Sequence, residues 1–281
     1  MSAALSPVIQ LDTGIAMPAI GLGTWPLNDA EVARTVVDAV EIGYRLIDTA
    51  AKYGNEAGVG KALRDVTGQG GIDRSELFVT TKLDGPYQGA GRAADGLDAS
   101  LRRLGLDYVD LLLIHWPLPS RDLYVDTWQT FADLLAAGKT RAIGVSNFKP
   151  AHLDRLVADT GVTPAVNQIE LNPTLARTAA RAYNAAHGII TQSWSPLGRG
   201  DTLSNPVITG IADRLGVTPA QVILRWHFQL GLSAVPKSAT KARLAENLDI
   251  FGFELTDRDM AAITGLDQGE AAATDSDVTG H

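Results

Sequence analysis

Four side chains with different proton chemistry stand at or just beyond the ends of short apolar runs: Asp48, Tyr53, Lys82 and His115. If those runs are neighbouring strands, the four groups converge on one mouth. A lysine at a partly buried strand end is costly unless an anion pairs with it, and Asp48 on the neighbouring run is a suitable counter-ion. A structural salt bridge would account for that pair alone. It would not account for Tyr53 and His115 being aimed at the same place. A desolvated Lys82 could instead attack a carbonyl as a Schiff-base aldolase does, but a close carboxylate would keep the amine protonated and poor as a nucleophile. The chain has no cysteine, so thiol nucleophiles, disulfides and Cys-type metal sites are excluded. The histidines, at 115, 152, 187, 227 and 281, show no close ligand spacing, and no metal is expected.

The elements that must position these groups are legible as an alternation. Eight β-rich apolar runs recur, at 20–24, 44–48, 77–82, 108–115, 140–145, 165–169, 189–194 and 233–236, each followed by a helical pattern. Runs such as Leu111–Ile114 are apolar without alternation, as a strand buried on both faces requires. Helices are predicted at 29–43, 92–105 and 122–138, each with apolar residues on one face and a glycine at its end. Asn205-Pro206 and Thr218-Pro219 read as N-caps followed by proline at the first helical position, so two helices separate the last two strands. Thr256 with Asp259 resembles a capping box opening a last helix.

Eight units at about 35 residues each match a (β/α)8 TIM barrel, an α/β fold, with extra helices near the C-terminus. An open doubly wound sheet is the rival. Gly21-Leu22-Gly23 begins like its dinucleotide fingerprint, but Pro26 stands where the third glycine belongs. Residues 8–19 read as an N-terminal β-hairpin turning at Gly14 and able to plug the barrel floor. No linker divides residues 1–281, so one domain is expected, with a tail at 268–281 read as mobile or as a surface loop.

Composition narrows the function. Hydrophobic residues make up 45% and charged residues 20%, in the range of soluble globular chains. The formal charge of -8 disfavours a phosphate-backbone binder, so no nucleic acid partner is expected. The opening residues, Met1 to Gln10, lack the pattern of an export signal, and no apolar stretch approaches the ~20 residues of a bilayer span. The expectation is a cytoplasmic protein, monomeric and away from membranes, acting on a small molecule.

A series of motifs then runs in order: Leu22-Gly23-Thr24-Trp25; Asp48-Thr49-Ala50 with Tyr53-Gly54-Asn55-Glu56; Thr81-Lys82-Leu83; and Ile114-His115-Trp116-Pro117. Gly144-Val145-Ser146-Asn147-Phe148, Asn167-Gln168-Ile169-Glu170, Trp194-Ser195-Pro196-Leu197-Gly198 and Pro236-Lys237-Ser238 continue it. Through them the chain resembles the aldo-keto reductase family from about Val8 to Asp267, and short loops after the fourth and seventh strands resemble the bacterial branch that includes 2,5-diketo-D-gluconate reductases. The resemblance implies NADPH carried across the mouth of the barrel and reduction of aldehydes or ketones to alcohols. It makes Tyr53 the general acid, with Lys82 drawing its hydroxyl down from a free value near ~10. Asp48 would hold Lys82, and His115 would donate to the carbonyl oxygen.

The same resemblance assigns cofactor positions: Gly23 and Thr24 in the first motif; Ser146, Asn147 and Gln168 at the carboxamide; Trp194 stacked on the nicotinamide, where tyrosine is common; and Ser195 and Leu197 along the pyrophosphate. Lys237, Ser238, Thr240 and Arg243 would hold the 2′-phosphate, with Arg243 the main contact, and Glu246 and Asn247 would lie near the adenine. Trp25 and Trp116 match substrate-pocket positions. Asp84 departs from the family, in which an aromatic often stands there, and so changes or opens one wall. Small aldehydes, dicarbonyls and keto sugars are the expected substrates. A non-enzymatic nicotinamide-binding sensor is the other reading, but it would not require all four proton-handling groups.

Overall fold

The structure, a computed structural model, describes residues 5–281; the first four residues of the stretch read for an export signal lie outside them. Strands β1 (Val8–Gln10) and β2 (Ala16–Pro18) pair antiparallel, with Val8 opposite Pro18. Between them Gly14 turns the chain at φ 77°, a backbone state that only glycine enters without steric cost.

Eight parallel strands follow. They are β3 (Leu22–Gly23), β4 (Leu46–Asp48), β5 (Phe78–Leu83), β6 (Val109–Ile114), β7 (Thr140–Ser146), β8 (Val166–Glu170), β9 (Ile190–Trp194) and β10 (Ser233–Ala234). Each pairs with the next in chain order. A parallel bridge between Ile20 and Ala234 joins the two ends of the sheet, with Gly21 N–H on the Ala234 carbonyl and Gly23 N–H on the Pro236 carbonyl. The eight expected runs are these eight strands, with ends shifted by no more than two residues.

Helices α1 (Asp29–Ile42), α2 (Glu56–Thr67), α3 (Arg92–Leu104), α4 (Tyr124–Ala136), α5 (Pro150–Thr160) and α6 (Thr178–Ala186) connect β3 through β9. Helices α7 (Pro206–Leu215) and α8 (Pro219–Gln229) both precede β10, and α9 (Lys241–Leu248) and α10 (Asp257–Thr264) follow it. Their starts are set by side chains. Asn28 and Thr218 close capping boxes with Glu31 and Gln221, and Thr256 does so with Asp259. In α1, Val32, Val36 and Ala39 are fully buried against the sheet, and each such valine stabilises the fold by roughly 1.5–3 kcal/mol. The fourth helix departs from expectation, starting at Tyr124 rather than at 122. Leu118 and Asp122 take left-handed conformations on either side of a 3-10 turn, Pro119–Arg121, so the helical run cannot begin earlier.

Three apolar clusters result. Two lie between strands and helices. The third lies inside the barrel, where Leu46, Phe78, Leu111, Leu113, Ala142, Val166 and Val235 cluster with Leu11 and Met17 of the hairpin. The hairpin thus closes the floor, and the strands' C-terminal ends are left to carry chemistry. Among the described residues no single helix is long and apolar enough to cross a membrane.

Candidate active site

Strand β4 ends at Asp48 and β5 carries Lys82 beside it, so both side chains rise inside the barrel toward the mouth. Lys82 is fully buried, and its Nζ donates to Asp48 Oδ1 at 2.6 Å, to the Thr49 carbonyl at 3.1 Å and to the Tyr53 hydroxyl at 3.2 Å. An ammonium has three hydrogens, and all three are placed. Burial alone would lower the Lys82 pKa, but Asp48 and Tyr53 outweigh it and the net direction is upward. The amine therefore holds its proton and has no lone pair for Schiff-base attack.

Tyr53 reaches Lys82 from a 3-10 turn, Ala51–Tyr53, that follows β4. The expected lowering of its hydroxyl by Lys82 is present, yet burial is the larger effect and Asp48 adds to it, so the net shift is upward. Tyr53 stays a phenol at neutral pH, which suits a proton donor. His115, just past the end of β6, lies edge-on to it with ring centroids 5.7 Å apart. Burial, then Lys82 and His281, hold the His115 pKa well below its ordinary value, so its imidazole is neutral and has one N–H to give.

The positions inferred for a cofactor lie in two adjoining chambers of one groove. The inner chamber is lined by Gly23, Thr24, Ser146, Asn147, Gln168 and Trp194 together with Asp48, Tyr53 and His115. Ser195 and Lys237 line both, and Leu197, Ser238, Thr240, Arg243, Glu246 and Asn247 line the outer one. Trp25 borders both chambers and Trp116 the inner. Lys82 is the one assigned residue that lines neither, because it sits beneath Tyr53 and Asp48.

One assignment changes in detail. Asn147, at φ 64°, spends both amide hydrogens on the His115 carbonyl and Ser146 Oγ, and its Oδ1 accepts from Trp194, so only one lone pair faces a ligand. Lys241, between Thr240 and Arg243 of the phosphate-facing stretch, turns away to Asp38 at 2.9 Å and Glu41 at 2.7 Å on α1.

Two lining residues carried no sequence signal. Arg199, at φ 56°, stands where the chambers meet. His281 reaches the mouth from the far end of the chain, its ring centroid 4.7 Å from His115 and 6.0 Å from Trp116. The tail read as mobile or as a surface loop lies over the barrel. Lys149 Nζ meets Asp275 and Asp277 at 2.5 Å each, His152 Nε2 meets Asp277 at 2.9 Å, and Arg177 meets Glu270 at 2.9 Å. Asp84 caps the turn at Gly85, and His281 packs on Gly85, so the wall opened by Asp84 is filled by the tail.

Comparisons with known proteins bear on the fold and the family. The model of the aldo/keto reductase family matches residues 19–268. An aldo-keto reductase of Mycolicibacterium vanbaalenii is 53% identical over 268 residues, 95% of each chain, and the methylglyoxal reductase DkgA of Escherichia coli (strain K12) is 46% identical over 275 residues, 97% of this chain and 98% of its own. The crystal structure of a Gox0644 variant in complex with NADPH superposes with a TM-score of 0.93 at 44% identity, covering 99% of this chain and all of that one. With the family match spanning most of the barrel, the chain is a member of the aldo/keto reductase family.

Proposed function

We propose that the protein reduces small aldehydes and dicarbonyl compounds to alcohols with NADPH, Tyr53 acting as the general acid. The observation that carries the reading is Lys82 Nζ, 2.6 Å from Asp48 and 3.2 Å from the Tyr53 hydroxyl, directly beneath the mouth that His115 faces.

The groove fits the cofactor. Thr24 Oγ1 is buried at the inner chamber without a partner, and Gln168 uses both amide hydrogens on protein, which leaves its Oε1 for a donor such as a carboxamide. At the outer end Thr240 makes no side-chain cap on α9, so the first N–H groups of that helix are available to a phosphate, with Lys237 and Arg243 beside them. Trp194 would lie against the nicotinamide. When bound, NADPH supplies the hydride that reaches the carbonyl carbon and leaves as NADP+.

The chain's residues do the rest. The neutral His115 donates to the carbonyl oxygen as negative charge grows there, and Tyr53 gives that oxygen its proton. Lys82, held by Asp48, stays protonated and stabilises the phenolate left behind until solvent returns a proton to Tyr53 at turnover's end. Trp25, Trp116 and His281 narrow the mouth around a small, flat substrate. The similarity to the methylglyoxal reductase DkgA favours dicarbonyls over bulkier ketones.

The test is the initial rate of NADPH oxidation at about 340 nm with phenylglyoxal, methylglyoxal, an aromatic aldehyde and a keto sugar, each repeated with NADH and with Tyr53→Phe. Turnover that requires both NADPH and Tyr53 is the expected result. Carbonyl reduction by Tyr53→Phe at the wild-type rate overturns the assignment.

A further inference from the structure

A line of polar side chains crosses the apolar interior of the barrel. Gln168 on β8, Gln192 on β9 and Ser233 on β10 stand in register on three successive strands, and all three side chains are buried. Gln192 is completely inaccessible, in a layer that a branched apolar residue would ordinarily fill. A buried amide there is costly unless every polar atom finds a partner. The partners form a chain with a direction. The Pro18 carbonyl can only accept, and Ser233 Oγ donates to it at 3.4 Å. Ser233 Oγ in turn accepts from Gln192 Nε2 at 2.9 Å, which turns Gln192 Oε1 toward Gln168. That oxygen accepts one hydrogen of Gln168 Nε2 at 2.6 Å, and the other goes to Asp48 Oδ2 at 2.7 Å.

We propose that Gln192 is a positioning residue for the catalytic ion pair, acting through Gln168 to fix which side of that amide meets Asp48. With Gln192 in place, a flipped Gln168 would set its Oε1 against two acceptors at once. The fixed orientation gives Asp48 a donor on each oxygen, Gln168 on one and Lys82 on the other, and keeps Gln168 Oε1 free on the cofactor side. The line thus runs from the hairpin plug at the floor to the Tyr53 hydroxyl at the mouth, through Pro18, Ser233, Gln192, Gln168, Asp48 and Lys82.

The inference rests on Tyr53 being the proton donor, and it predicts a titration. The charged and titratable groups facing Tyr53 are Lys82 and Asp48 below it and His115 across the mouth, with His281 and Lys52 acting on His115. Removing the Gln168 donor leaves the Asp48 charge less compensated. A less compensated carboxylate raises the Tyr53 pKa, so the alkaline limb of the reduction rate moves up in pH.

The experiment is the pH profile of kcat at saturating NADPH for wild type, Gln192→Leu, Gln168→Leu and the double variant, with NADPH binding followed by fluorescence and folding by thermal melting. Gln192→Leu is expected to bind NADPH within about threefold of wild type and to shift the alkaline limb up by roughly half to one pH unit. In the Gln168→Leu background the same change is expected to add no further shift. An unmoved limb in folded Gln192→Leu, or an equal shift in both backgrounds, overturns the proposal. Should Gln192→Leu not fold, Ser233→Ala carries the test: a smaller upward shift supports the proposal and an unmoved limb overturns it. If the wild-type limb survives in Tyr53→Phe, the failure lies in the general-acid reading instead.

Discussion

The indole Nε1 of Trp194 donates to Asn147 Oδ1 at 2.9 Å, tying the flat wall of the inner chamber to the loop that follows β7. A tyrosine at 194 would offer the same stacking face, but its donor would sit at the ring's far end. Trp194→Phe should therefore keep turnover and weaken NADPH binding by about three- to tenfold, the worth of one neutral hydrogen bond. Fluorescence titration with NADPH measures it, and unchanged affinity would mean that the bond only locks the empty loop.

Cofactor choice is set at the other end of the groove. Lys237 and Arg243 face the outer chamber, whereas Lys241 is held by Asp38 and Glu41. Arg243→Ala should raise the KM for NADPH about ten- to a hundredfold, as loss of a charged hydrogen bond does, and leave that for NADH nearly unaltered. Lys241→Ala should change neither. Steady-state kinetics with both cofactors separates the roles of Arg243 and Lys241.

The proton inventory gives the reduction its pH dependence. Burial holds the Tyr53 pKa above its ordinary value, and Lys82 is the main force opposing it. Reduction needs the phenol, so activity should persist through neutral pH and fall only as pH rises through the Tyr53 pKa. Alcohol oxidation needs the phenolate and should rise over that range. Lys82→Met should push the limb of residual reduction further up and cut kcat by at least about a hundredfold. A limb that moves down would reverse the sign assigned to Lys82.

A second histidine far from the mouth limits acid stability. His227 on α8 is fully buried, with its ring nitrogens 2.9 Å from the Ile223 carbonyl and 3.2 Å from the Leu171 carbonyl, and burial pulls its pKa down to about 4. Its folded value is below the unfolded one, so its contribution is intact above the unfolded pKa and is lost as pH falls. Between pH 7 and about 4.5 this residue alone should remove roughly 2–3 kcal/mol. Urea unfolding of wild type and His227→Gln at both pH values tests it; equal losses in the two proteins would acquit His227.

The tail should govern what enters. Deleting residues 275–281 removes His281 and the aspartates held by Lys149, and should raise the KM for methylglyoxal while admitting bulkier aryl ketones. Because the ion pairs of Asp275 and Asp277 are exposed, the wild-type preference should relax at high salt. An unchanged substrate panel would show that the tail merely rests on the barrel.

Much of this was legible in the sequence, for identifiable reasons. The eight strands announce themselves as β-rich apolar runs, and Asn205-Pro206 and Thr218-Pro219 mark helix starts because an N-cap side chain and a proline act locally. Asp48, Lys82 and His115 could be placed because each stands at the end of such a run. His281 could not, since nothing local ties it to a partner 166 positions earlier. Gln192 reads as one polar residue in a strand, and only the register with Gln168 and Ser233 gives it a role. The sign at Tyr53 also lay out of reach, because burial and the lysine oppose each other and only their geometry decides.

The seam between Ile20 and Ala234 has a bearing on how the molecule is made. Its ladder joins backbone groups more than two hundred residues apart, and the Tyr44 hydroxyl reaches the Leu244 carbonyl across the same gap. Contacts of such separation carry the largest loop-closure cost and form late. A nascent chain emerging up to Leu232 already owns Asp48, Tyr53, Lys82 and His115, yet lacks the strand that closes the ring and the phosphate-facing residues behind it. Chain growth therefore delivers the proton-handling residues and most of the inner chamber first and the phosphate-facing end of the groove last, together with the strand that closes the ring.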